Sequence, residues 1–265
     1  MNDLPVSEVH EWALEKHERL RRYIDAAHGA RGNFEPAQCA YIDLYCGPGV
    51  SRIIESGLSI DGSPLVAFDA AARQGDQFTE FLIADSNADY VRAAETRLIE
   101  KDANVQGFVG EAHVVVERIA EALDPNGLHL AFLDPYNLVG LPFSVIETLA
   151  RFRHMDLIIH VSSMDLKREL HNYLKPEGRR ALDAFAPGWR DHVNVRQRQD
   201  LIRKEIFAHW FNLIKGLGTL ANDRVEAVDN SKHSDLYWLV FVARHSLAHK
   251  LWEAICNVSP QRRLI

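Results

Sequence analysis

The sequence predicts an α/β protein: a doubly wound, mostly parallel, seven-stranded sheet with an antiparallel last strand and a helical insertion. Three observations predict it. Five apolar stretches of strand length each lead into a segment of helical periodicity, the pattern of a parallel sheet covered on both faces. The stretch "LHLAFLDPY" is a nearly continuous apolar run, as buried parallel strands have. Near the end, two strand-like stretches flank a short polar turn, which predicts an antiparallel hairpin.

In chain order, residues 7–28 read as an amphipathic helix, because Trp12, Leu20, Tyr23 and Ile24 recur at helical spacing. The first strand is 39–46. A helix follows over 63–74, with Ser63 as its cap and Pro64 in its first turn. Strand 80–86 and helix 88–101 come next, then a short strand with its exit loop over 105–112 and a helix over 113–123. Strand 128–136, helix 143–152 and strand 155–163 complete the alternation. Residues 165–218 are charged and helical, broken by Pro176, Gly178, Pro187 and Gly188. Within them Leu201, Ile202, Ile206, Trp210, Phe211 and Ile214 share one side of a helix. Strands 224–230 and 236–245 form the hairpin, and helix 246–258 closes the chain. With no repeat and no linker composition, 1–265 reads as a single domain.

Of the 265 residues, 47% are hydrophobic and 25% charged, enough apolar content for a substantial core. The net charge of −7, from 30 basic and 37 acidic residues, argues against gripping nucleic acid by bulk charge. Arginines between 179 and 203 are mixed with acids and read as a solvated helical face. Cys39, Cys46 and Cys256 have no metal-ligand spacing, and an odd, sparse count fits a reducing cytoplasm. No signal peptide and no membrane span is expected. A GxSxG elbow and a GxxxxGK[ST] loop are both absent, which removes the serine hydrolase and P-loop readings.

A doubly wound sheet binds ligands at the carboxyl ends of its strands. There the sequence concentrates acids and glycines. "YIDLYCGPGV" ends the first strand with Asp43, Tyr45, Gly47 and Gly49. It lacks the third glycine of a dinucleotide loop, and about a dozen residues separate it from the next helix. S-adenosylmethionine (SAM) has an ammonium and a sulfonium but no phosphate, and an acid beside a short Gly turn suits it better. Asp85 and Ser86 end the second strand, where an acid can accept from both ribose hydroxyls. Gly110 and Glu111 end the third, where an adenine edge would lie. His160 at the end of strand five reads as a core-edge histidine, and Cys46 as a small buried filler.

Asp134, Pro135 and Tyr136 end the fourth strand. They resemble the Asp/Asn-Pro-Pro-Tyr/Phe motif of methyltransferases that modify exocyclic amines, without the second Pro. In that motif the polar side chain and a backbone carbonyl accept from an NH2 group, and the aromatic ring stacks on a flat substrate. The expectation is a SAM-dependent methyltransferase of a nucleobase-like amine in RNA, DNA or a modified nucleoside. The other reading is a non-catalytic SAM-binding or docking subunit.

Four segments together resemble the three-Cys-motif partner family, TcmP: "YIDLYCGPGVSR", "IDGSPLVAFDAA", "FLDPYNLVGLPFSVIETLAR" and "ARHSLAHKLWEAI". The opening helix with Trp12 and Lys16, leading to Tyr23, also fits. The resemblance implies a SAM-methyltransferase-like fold in a bacterial or phage-associated protein. It also implies partnership with a three-Cys-motif protein that itself resembles radical-SAM enzymes.

Overall fold

The computed structural model describes residues 4–34, 37–176, 178–218, 220–221, 226–229 and 235–257. The chain enters as a strand, β1 (Ser7–Val9), then a helix, α1 (Trp12–Ala26), and a short helix, α2 (His28–Gly32). The expected helix over 7–28 therefore starts five residues late. The "SEV" stretch pairs in parallel with the strand after the glycine turn, and this tertiary pairing overrides helical continuation. From Trp12 onward the helical spacing is real, and Leu20, Tyr23 and Ile24 are buried.

The first central strand is β2 (Ala40–Asp43). After the glycine turn come β3 (Val50–Ile53) and β4 (Ser59–Asp61), then α3 (Ser63–Gln74). Strands β1, β3 and β4 make a separate three-stranded sheet where the sequence predicts no strand: 7–9 reads as helix, and 50–53 and 59–61 carry no predicted element. Ser63 is the first helical residue, not the cap. Gly62 occupies the cap position, and the Ser63 hydroxyl donates to Asp43 instead.

Next follow β5 (Glu80–Asp85) and α4 (Ala88–Ile99), whose Asn87 cap accepts from the Asp89 N–H at 2.9 Å. Then come β6 (Val105–Val109), α5 (Ala112–Ala122), β7 (His129–Leu133), α6 (Phe143–Leu149) and β8 (Met155–Val161). The insertion contains α7 (Ser163–Tyr173), α8 (Arg179–Phe185) and α9 (Gln199–Gly216). The chain continues through β9 (Leu220–Ala221), β10 (Glu226–Asp229), β11 (Asp235–Ala243) and α10 (Ser246–Asn257). Of the expected hairpin, residues 224–225, 230 and 231–234 lie outside the described residues, as does residue 258 of the last helix.

The main sheet runs β10-β11-β8-β7-β2-β5-β6, with the two-residue β9 pairing β11 as an eighth strand. Strands β2, β5, β6, β7 and β8 are parallel; β11 is antiparallel to both β8 and β10. After β2 the chain steps outward through β5 and β6. It then returns to β7 on the other side of β2. The order reverses between β2 and β7, and such a switch point opens a crevice beyond the strand ends.

Apolar packing covers both faces. On one side Phe185 stacks on Trp210 at 5.3 Å within the insertion. On the other, Trp252 of α10 stacks on Phe241 at 5.0 Å. The turn after β2 is held by its glycines. Gly49 has φ +83°, and a Cβ there would lie 3.3 Å from the Ala94 Cα of α4. Gly49 thus lets the turn lie flat on a helix. Gly49→Ala is expected to lose about 1–3 kcal/mol through strain and backbone contact. Urea unfolding should show a lower midpoint at unchanged slope.

Candidate active site

Beyond the carboxyl ends of β2, β5, β6, β7 and β8 lies a cavity of about 700 Å³, a size ordinary for small-molecule sites. Of the residues singled out in the sequence, Tyr45, Gly47, Asp85, Ser86, Gly110, Glu111, Asp134, Pro135 and Tyr136 all open onto it. Asp43 and Gly49 do not.

Asp43 is fully buried behind the wall. Its carboxylate accepts from the Ser63 hydroxyl at 2.6 Å, the Tyr41 hydroxyl at 3.1 Å and the Tyr45 N–H at 3.1 Å. Burial pushes its pKa up to about 7 despite these donors. Asp43 is a brace beneath the glycine turn rather than an exposed anion. Sequence alone could not show this, because the donors come partly from α3, 20 residues on.

Asp85 bridges two turns. One oxygen accepts from the Gly47 N–H at 3.1 Å and the other from the Asn87 N–H at 2.9 Å. Burial raises its pKa, with the amide hydrogen bonds pulling the other way. Its own carbonyl accepts from the Gly110 N–H at 3.1 Å. Gly110, at φ +147°, turns the chain into α5. Glu111 is exposed at the start of that helix, and its side chain makes no capping bond.

The β7 end is the most heavily wired part. Both oxygens of Asp134 accept from the Lys16 ammonium of α1, at 2.7 and 2.6 Å. Burial is the largest single influence and raises the Asp134 pKa, but the Lys16 charge, His160, the Lys16 hydrogen bonds and His17 together outweigh it, and the net shift is downward. His160, at the end of β8, lies with Nδ1 3.0 Å from Asp134 Oδ1 and packs edge-on to Tyr237 at 4.7 Å. Its Nδ1 has no hydrogen-bond partner, so this approach is contact rather than a bond. Burial first, and Lys16 second, lower the His160 pKa to about 4, which keeps it neutral. His160 thus belongs to the cavity, not to the core edge as the sequence suggested.

Pro135 is buried, whereas Tyr136 is 89% exposed at the mouth. The loop carrying them is held from three directions. Tyr45 donates through its hydroxyl to the Gly140 carbonyl. Asn137 Oδ1 accepts from the Gly140 N–H at 3.0 Å. Buried Asp165 of α7 accepts from the Leu138 N–H at 3.1 Å and the Tyr173 hydroxyl at 2.6 Å. Asp165 is therefore a brace, and Lys167 beside it is exposed.

The N-terminal elements supply a wall that sequence reasoning missed. Ser7 and Ser51 share a hydrogen bond at 2.8 Å across β1 and β3. His10 stacks on Trp12 at 4.0 Å and pairs with Glu55 at 2.7 Å, which pins the corner between β1 and α1. His17, one residue past Lys16, also lines the cavity; burial and Lys16 lower its pKa to about 4. Arg52 is exposed and outside the cavity lining, and Cys46 is buried with a raised thiol pKa, as a filler would be. In the insertion, Arg190 pairs with Asp183 and Arg198 with Asp200, the mixed surface expected there. Among the described residues no helix is long and apolar enough to cross a membrane, and no group of three His, Cys, Asp or Glu residues could hold a metal ion.

No family model matches this chain, and no curated protein matches it. Solved structures do. A Legionella pneumophila protein of the DUF519 family model aligns with 91% of each chain at 8% identity and a TM-score of 0.51. This likeness shows a shared α/β fold. WbdD aligns over 92% of this chain and 46% of its own, at 14% identity and TM-score 0.47. An rRNA methylase from Streptococcus thermophilus aligns over 87% of this chain and 94% of its own, at 10% identity and TM-score 0.42.

The buried Asp43 makes stability pH-dependent with a definite sign. Its folded pKa lies above the unfolded value of 3.8, so the native state binds more protons between them. This group's contribution is present below about pH 4 and is lost as pH rises towards about 7. Thermal unfolding from pH 4 to 7.5 is expected to show a shallower downward slope in Asp43→Asn than in the parent chain. The difference should reach about 1–3 kcal/mol. Parallel curves would contradict a raised pKa for the buried Asp43.

Proposed function

We propose that this chain is a SAM-dependent methyltransferase acting on an exocyclic amine of a nucleobase or nucleobase-like ring, in RNA, DNA or a modified nucleoside. One observation carries the reading: Asp85, Glu111 and the Asp134-Pro135-Tyr136 turn, from three separate strand ends, open onto one cavity.

The residues present fit SAM. Asp85 keeps lone pairs beyond the two amide bonds it accepts, and these suit ribose hydroxyls. Gly110, Glu111 and Ser86 would flank the adenine, and Tyr45 and Gly47 the methionine end, with Asp43 and Gly49 supporting that turn from behind. When bound, SAM supplies an activated methyl group. The chain's own work is then positional: Asp134 and the Pro135 carbonyl accept from the amine, and the exposed Tyr136 ring offers a platform for a flat acceptor. A non-catalytic docking subunit serving a three-Cys-motif protein is the second reading. It draws on Asp43, which is sealed from the cavity instead of facing the methionine end.

Calorimetric titration separates these. SAM is expected to bind the parent chain with micromolar Kd, at least about tenfold weaker in Asp85→Ala, a loss typical of a charged hydrogen bond. Tyr136→Ala should lower turnover on a pool of RNA, DNA and nucleosides about tenfold or more, with SAM affinity nearly unchanged. SAM binding with no turnover on any of these pools would select the docking reading.

A further inference from the structure

The acceptor end carries a feature that the amine motif does not require, a cation already seated on its carboxylate. Lys16 and Asp134 are covered, with 10% and 18% of their side chains open. A carboxylate offers about four lone-pair positions. Lys16 takes one on each oxygen, and the neutral His160 ring crowds Oδ1 at 3.0 Å. The remaining opening suits one N–H donor. The charge of Asp134 is already balanced, so a second cation gains no ion pair and stands beside the Lys16 ammonium in a poorly solvated place.

We propose that Lys16 is a specificity-determining residue that restricts this subsite to neutral, conjugated amines and rejects protonated alkylamines. The proposal rests on the amine-methylation reading above. The chemistry is consistent with what methyl transfer demands of an acceptor. A base's exocyclic NH2 is uncharged near neutral pH because its lone pair is delocalised into the ring. It can therefore give one N–H to Asp134 without adding charge. An alkylamine is protonated near neutral pH, has no free lone pair, and meets Lys16 as a like charge. Beside the pair, His160 and His17 are neutral, Tyr237 presents its ring 5.8 Å from the Lys16 ammonium, and Asp43 is shut behind the wall, while Glu8, Asp85, Glu111 and Asp165, which line the same cavity, stand on other elements.

Lys16 also ties α1 to the sheet, so its test needs a readout that a structural tie alone would not move. That readout is the ratio of affinities for two probe classes, 1-methylcytosine and 9-methyladenine against 2-phenylethylamine. It is measured by calorimetry or ligand-observed NMR at pH 7 with S-adenosylhomocysteine present. In the parent chain at least one base should bind about tenfold or more tightly than the alkylamine. In Lys16→Met the uncovered Asp134 should draw the ammonium, and the ratio should fall at least about tenfold. Lys16→Arg, which retains the charge, should keep the parent ratio and controls for folding, together with thermal melts of all three proteins. A ratio in Lys16→Met within twofold of the parent overturns the proposal, as does a parent chain that binds the alkylamine as tightly as the bases or binds no base. S-adenosylhomocysteine affinity is read separately. Binding of that ligand with an unchanged ratio removes this inference alone. Its failure to bind the parent chain counts against the methyltransferase reading, while the ratio still judges Lys16.

Discussion

The ion pair between Lys16 and Asp134 joins the first helix of the chain to the end of a central strand across 118 residues of sequence. A buried pair of this kind is not a cheap source of stability, because both ions lose solvent. What it fixes is position. It lays α1 over the switch point between β2 and β7, and so turns an open crevice into a walled cavity. Breaking one partner would leave an uncompensated charge in a dry place, which is why the two ends of this contact constrain each other strongly.

Other contacts make sense around that one. The three-stranded sheet gives α1 its starting point: β1 is held on β3, and His10 and Glu55 lock the corner into the helix. On the far side, α7 reaches back through Asp165 to hold the loop behind Pro135 and Tyr136. Asp85 links the glycine turn to the start of α4 through two amide hydrogen bonds. Each wall is therefore set by a polar side chain from a different segment; Asp85 and Asp165 are framed by backbone amides and Asp134 by the Lys16 ammonium.

Much of the sheet was legible because its strands are buried on both faces and read as apolar runs. That these acids share one cavity was legible because strand ends are where such sheets open a crevice, and Asp85, Glu111 and Asp134 stand at those ends. The failures have separate physical causes. Strand β1 is three residues long and exists only because β3 offers it an edge, so local periodicity could not reveal it. Lys16 has no sequence signature that marks it as a partner of Asp134; only the fold brings them together. Asp43 looked like an exposed anion because alternation does not tell whether a strand-end acid meets solvent or donors. Ser63 and Tyr41 decide that, and they draw it inward. His160 was assigned to the core edge because the cavity beside it is built by the N-terminal wall.

As a methyltransferase, the chain would need the acids at these strand ends to enclose one adenosyl group facing an amine subsite. A crystal structure of the chain with S-adenosylhomocysteine tests it most directly. The ribose hydroxyls are expected within hydrogen-bond distance of Asp85, the adenine against Gly110 and Glu111, and the sulfur turned towards Asp134 and Tyr136. Density for the ligand elsewhere on the molecule, or an empty cavity at saturating ligand, would contradict it.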